Sequence, residues 1–145
     1  MTTFYKCNYF KIYELVDPLV FNSWGDKAWS FFKPEALMTL DAFREFYGVT
    51  VTINSWYWKG QFSNRGLRSP QSLVGATFSQ HRFGNAFDLD VKGVPASKVR
   101  EDILKYKNDV FPHITRLEDT LNGEPINWVH FDCANVAERI VLLHV

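Results

Sequence analysis

Cysteine is scarce in this chain. Of 145 residues only Cys7 and Cys133 carry thiols, and they form no CxxC motif. One possible pair is not a disulfide framework, and the missing motif excludes a cysteine-rich metal site. The two read as reduced thiols in or near the core. An excess of either charge is also missing: sixteen Lys and Arg residues balance sixteen Asp and Glu. That balance offers no electrostatic footprint for nucleic acid or an anionic membrane surface. No apolar run approaches the roughly 20 residues that cross a bilayer. The stretch from Met1 to Tyr13 is broken at Asn8 and Lys11, with Glu14 just beyond, so it does not read as a secretory leader. The expectation is a chain made in the cytoplasm, with any role elsewhere requiring delivery by another agent. Repeats, low-complexity tracts and linkers are absent too. Residues 1–145 are therefore expected to form one domain and to act as a monomer.

What the chain does have is 46% hydrophobic and 17% aromatic residues, enough to exclude disorder. Asp17-Pro18 is a turn signal, and residues 24–32 read as aromatic-rich and irregular. Pro34 suits a helix start, Leu37, Leu40, Phe43 and Tyr47 follow at near-helical spacing, and Gly48 stops the helix. Val49 to Ile53 is β-branched and reads as a strand. Asn54 to Ser72 reads as a long functional loop, followed by a short helix near Gln71–Val74. Ala86 to Val91 alternates as a strand does. Pro95 and Ser97 open another helix with an apolar stripe of Val99, Ile103 and Tyr106. Asn122-Gly123 predicts a hairpin turn between strands at His113–Glu118 and Asn127–Cys133, and Glu138 to Val145 reads as a last strand. Helices and strands mix without regular alternation, which predicts an α+β fold.

Two of the four histidines stand in unusual company. His81 lies in Ser79-Gln80-His81-Arg82-Phe83-Gly84-Asn85-Ala86-Phe87-Asp88, and His130 lies in Trp128-Val129-His130-Phe131-Asp132. With the strand period of two, Phe87, Leu89 and Val91 share a core face, and Ala86, Asp88 and Asp90 share the other. Likewise Val129, Phe131 and Cys133 face the core, while Trp128, His130 and Asp132 face a cleft. Any one of these polar groups alone would read as a packing or turn residue. Together they make a donor set for a catalytic zinc ion, which needs three protein ligands and one open position. Two imidazoles and one carboxylate leave a net charge near +1, so the ion can still polarise a carbonyl and lower the pKa of water. Gly84 permits a turn between His81 and Asp88, and Ala86 leaves space beside the metal. His113 and His144 lack such context and read as structural.

Ser79-x-His81-x-x-Gly84-x-Ala86-x-Asp88 resembles the first zinc motif of the M15 peptidases, SxHxxGxAxD, and Trp128-x-His130-x-Asp132 resembles the second. These enzymes are D-alanyl-D-alanine carboxypeptidases and L-alanyl-D-glutamate endopeptidases, and they share a fold with the hedgehog signalling domain. The resemblance runs from about Phe10 to Asp132. It implies zinc ligation by His81, Asp88 and His130, and a hedgehog/DD-peptidase-like fold with a central antiparallel sheet, flanking helices and a zinc cleft. Gly66-Leu67-Arg68-Ser69 resembles the family's GYRS element, so Arg68 is expected to hold a substrate carboxylate or the developing oxyanion. Ser79 is expected to brace the loop of the first ligand.

One position departs from the pattern. Many members place Glu or Asp three residues before the second histidine as general base, and here that residue is Asn127. Glu118 and Glu124 are the candidate replacements, while Asp132 could serve either as base or as the group that orients a ligand. The implied function is zinc-dependent hydrolysis of peptidoglycan stem peptides, with a setting that resembles a phage or prophage endolysin acting on the cell wall after release. The alternative is a non-catalytic zinc-binding module on the same fold, such as a phage structural or regulatory domain. Trp56, Tyr57, Trp58 and Phe62 are candidates to line a substrate groove or, as aromatics usually do, to pack. Nucleic acid and membrane are not expected partners.

Overall fold

The computed structural model describes residues 4–145. Residues 1–3 of the expected 1–145 domain lie outside the described residues. Among the described residues three α-helices, α1 (Pro18–Trp24), α2 (Pro34–Tyr47) and α3 (Ala96–Lys105), accompany five strands. The strands are β1 (Val51–Thr52), β2 (Ala86–Val91), β3 (Arg116–Leu121), β4 (Glu124–Asp132) and β5 (Val141–His144). The class is α+β.

Local chemistry accounts for most of the boundaries. Asp17-Pro18 begins a helix rather than a turn: Pro18 sits at its first position, and Asp17 Oδ1 accepts from the Val20 amide at 2.9 Å. Pro34 opens α2, and Gly48 closes it at φ 66°, its amide donating to the Arg44 carbonyl. The helix expected at Gln71–Val74 does not form. Gln71 lies in a turn and Val74 in a bend, with irregular chain between them, and Pro70 to Gly75 is too short a span to offset helix nucleation. The Ser72 hydroxyl instead accepts from the Val74 amide.

The sheet order is β1-β2-β4-β3-β5. The central strands pair antiparallel, as expected, and the sheet is mixed only at its edge, where β5 runs parallel to β3. The connection explains why. β4 ends with Asp132 opposite Arg116, at the start of β3, and after residues 133–140 Val141 pairs with that same Arg116. A strand entering at that end must run in the direction of β3. The Asn122-Gly123 turn joins β3 to β4 as expected, with φ of 53° and 81°.

Alternation of side chains divides the sheet into two faces. Phe87, Leu89, Val91, Val129 and Phe131 are buried against Leu37, Leu40 and Phe43 of α2 and Val99 and Ile103 of α3, in one hydrophobic cluster. The Phe43 ring sits 4.6 Å from Phe111 and 5.6 Å from Phe131. Cys7 and Cys133 are free thiols packed against this cluster. Burial pushes both up in pKa, Cys133 to about 12, so neither is a thiolate at neutral pH. Among the described residues no helix is long and apolar enough to cross a membrane. Phe43→Ala is expected to cost about 3–5 kcal/mol of folding stability in denaturant titrations; a loss below about 1 kcal/mol would contradict this view of the core.

Candidate active site

The other face of β2 and β4 is polar. Asp88 and His130 are direct cross-strand partners, so their side chains rise side by side, and Asp88 Oδ1 lies 2.8 Å from His130 Nδ1. His81 approaches from a separate 3-10 turn, Gln80–Phe83. Ser79 caps that turn by accepting from the His81 amide at 3.3 Å. Gly84 closes it at φ 66°, where a Cβ would strike the Phe31 carbonyl and Phe32, so only glycine fits. His81 Nε2 then stands 3.4 Å from Asp88 Oδ2. One donor atom from each of His81, Asp88 and His130 lies within 4.8 Å of the others, a group able to hold a metal ion.

Hydrogen bonding selects which ring nitrogens are available. His81 Nδ1 is 3.0 Å from the Gly66 carbonyl, which can only accept, so Nδ1 carries the proton and Nε2 is bare. That buried Nε2 has no hydrogen-bond partner. A buried lone pair without a donor is costly, and beside a carboxylate the partner it suits is a cation. Gly66 can approach closely enough because a Cβ there would collide with the backbone of Leu15. His130 Nε2 faces Asp132 Oδ2 at 3.2 Å, which leaves Nδ1 on the Asp88 side. Burial alone would lower the pKa of His130, but Asp132 and Asp88 outweigh it and raise the imidazole to about 9. Burial would raise Asp88, yet the adjoining imidazoles of His130 and His81 outweigh it and hold the carboxyl far below the usual carboxylate range. These electrostatics suit a donor set that holds a cation.

The three groups open into a cavity of about 490 Å³. Arg68 reaches it, with Nη2 3.5 Å from Asp88 Oδ2 and Nε donating to the Asn64 carbonyl at 2.9 Å. Gly75, at φ 80°, makes room for that guanidinium. Glu118 lines the cavity and lies 3.8 Å from His130 Nε2, beyond hydrogen-bond length. Glu124 is exposed beside the turn and does not line it, and Asn127 is exposed as well. Asp132 is saturated by Arg116, His130 and the Ala134 amide, which suits orienting His130 and not moving protons.

A family model described as Peptidase M15 matches residues 9–132. The chain belongs to the peptidase M15 family. The match contains both histidine motifs and ends at Asp132, so β5 lies outside it. No curated protein and no solved structure matches the chain. Membership makes it a hydrolase of the metallopeptidase class, with an architecture consistent with that of the family.

Several cleft residues of this M15 peptidase were not legible as such. Arg116 and Phe78 line the cavity, and nothing in their sequence neighbourhood marks them. The aromatic candidates lie elsewhere: Tyr57 stacks on Tyr13 at 3.8 Å, Trp58 and Trp56 pack around them with Phe21, and none of Trp56, Tyr57, Trp58 or Phe62 lines the cleft. Trp128, Phe78 and Leu121 supply its apolar wall instead. His144 pairs at the surface with Asp119 at 2.7 Å, and His113 borders a different cavity beside Cys133. Neither joins the site.

The pKa directions generate a pH test on chelator-treated protein. A raised imidazole contributes stability fully below its ordinary value of 6.5 and loses it as pH rises through about 9. The lowered Asp88 contributes above 3.8 and loses its contribution as pH falls. The urea midpoint of the metal-free protein is expected to fall from pH 6.5 to 9, and this fall should vanish in His130→Gln. A midpoint that stays level in the parent protein over that range would contradict the charge arrangement.

Proposed function

We propose that this M15 peptidase is a zinc-dependent hydrolase of peptide bonds in peptidoglycan stem peptides. The observation that carries the reading is the bare, buried, unpartnered Nε2 of His81 beside Asp88 and His130. His81 through Nε2, His130 through Nδ1 and Asp88 through its carboxylate would hold the metal, a donor set typical of catalytic zinc. When bound, zinc supplies a Lewis acid for a carbonyl oxygen and lowers the pKa of water.

The remaining chemistry belongs to the chain. Glu118 is the base: it lines the cleft next to His130, takes the proton of the attacking water, and returns it to the leaving amine nitrogen. Its carboxylate would take the role that Asn127 cannot. Arg68, always charged and pinned by Asn64 and Ser79, binds a substrate carboxylate or the oxygen that gains negative charge. Trp128 and Phe78 offer apolar contact to the peptide and exclude water from that side of the cleft. The Asn127 departure supports a second reading, a zinc-binding domain without peptidase activity.

Incubation with a defined muropeptide separates the two. Release of new amino groups, lost with a chelator and restored by zinc, is expected, and weighing the products distinguishes carboxypeptidase from endopeptidase cleavage. Stoichiometric zinc without amino-group release would favour the binding module. Glu118→Gln should lower kcat about 10²–10⁴-fold with zinc retained, whereas Glu124→Gln should stay within about twofold of the parent. His81→Ala should lose both zinc and activity while circular dichroism shows the fold intact. Full activity in Glu118→Gln would remove Glu118 from the mechanism.

A further inference from the structure

We infer that Arg116 is a positioning residue that acts through Asp132 to fix the ring orientation and tautomer of His130. This inference rests on the metal-site reading above and not on peptidase activity. Arg116 and Asp132 are direct cross-strand partners. The guanidinium forks onto the carboxylate, Nε donating to Oδ1 at 2.8 Å and Nη2 to Oδ2 at 2.9 Å. The Asp132 side chain is only 1% exposed, so protein donors must fill its lone pairs. The Ala134 amide supplies one at 3.2 Å, and His130 Nε2 lies at 3.2 Å from Oδ2.

The fork matters because His130 sits between two carboxylates. Asp88 Oδ1 is 2.8 Å from Nδ1, and Asp132 Oδ2 is 3.2 Å from Nε2. A neutral imidazole has one proton for the two of them. If it settles on Nδ1, toward Asp88, the nitrogen beside His81 and Asp88 is blocked to a cation. If it settles on Nε2, Nδ1 is bare. Arg116 holds the Asp132 carboxylate aimed at Nε2 through its two-point fork, which selects the second arrangement. A bidentate guanidinium fixes both carboxylate oxygens, which the point charge of an ammonium group cannot do. Partners of this kind, one step removed from a metal, typically affect affinity 10- to 100-fold.

Zinc affinity, read by competition with a chromophoric chelator, tests the inference without any activity measurement. Arg116→Gln is expected to weaken zinc binding about 10- to 100-fold, and Asp132→Asn to weaken it similarly. The double variant should bind no more weakly than Asp132→Asn alone, since Arg116 acts through that carboxylate. Long-range nitrogen–proton NMR spectra of the zinc-loaded parent should show the His130 proton on Nε2. Parental zinc affinity in Arg116→Gln, additive losses in the double variant, or a proton on Nδ1 would each overturn the inference. If Arg116→Gln does not fold, Arg116→Lys carries the test: reduced zinc affinity with an unchanged unfolding midpoint supports the inference, and parental affinity overturns it. The two readings fail separately. A parent protein that binds zinc but releases no amino groups defeats the peptidase proposal while these affinities still decide the role of Arg116. A parent that binds no zinc defeats both.

Discussion

The register of β2 against β4 is the constraint on which the site depends. It sets Asp88 directly opposite His130, and Ala86 opposite Asp132. The same pairing sends Phe87, Leu89, Val129 and Phe131 into the core. A slip of one residue would turn every one of these side chains to the wrong face, exposing the aromatic core and burying the carboxylates among apolar groups. Core packing and site assembly are thus one event, and the energy of burying four large side chains holds the polar pair in place.

Beside that pair, closely packed backbone sets the orientation of His81. The Gly66 carbonyl fixes the His81 tautomer, and Gly66 and Gly84 are glycines because backbone from Leu15 and Phe31 occupies the space a Cβ would need. The outcome is a cluster of carboxylates whose charge is offset by His130, Arg68 and Arg116. Under the proposed function a divalent cation would take the place of the proton on His130 Nδ1, which would link the electrostatics of the site to hydrolytic chemistry. Glu118 and Arg68 line the same cleft, and in the proposed mechanism one would carry protons while the other keeps its charge.

Much of this was readable from residue order. Strand alternation separated Phe87 and Leu89 from Asp88, and Val129 and Phe131 from His130, because the period of two is a local property. The helix at Pro34–Tyr47 was marked at both ends by its own capping residues. What escaped depends on distant contacts. Counting outward from the Asn122-Gly123 turn, where Leu121 pairs with Glu124 and Thr120 with Pro125, would set Glu118 opposite Asn127. The irregularity between Glu118 and Thr120 sets it opposite His130 instead, and that shift brings Glu118 into the cleft. The parallel placement of β5, the carbonyl of Gly66 behind His81, and the diversion of Trp56, Tyr57 and Trp58 into packing with Tyr13 likewise have no local signature.

The most direct test of the account is a crystal structure of the zinc-soaked protein with anomalous scattering recorded at the zinc edge. The predicted result is a single strong peak about 2.0–2.2 Å from His81 Nε2, His130 Nδ1 and an Asp88 carboxylate oxygen. Zinc bound elsewhere, or coordinated through His130 Nε2 with Asp88 uninvolved, would contradict it.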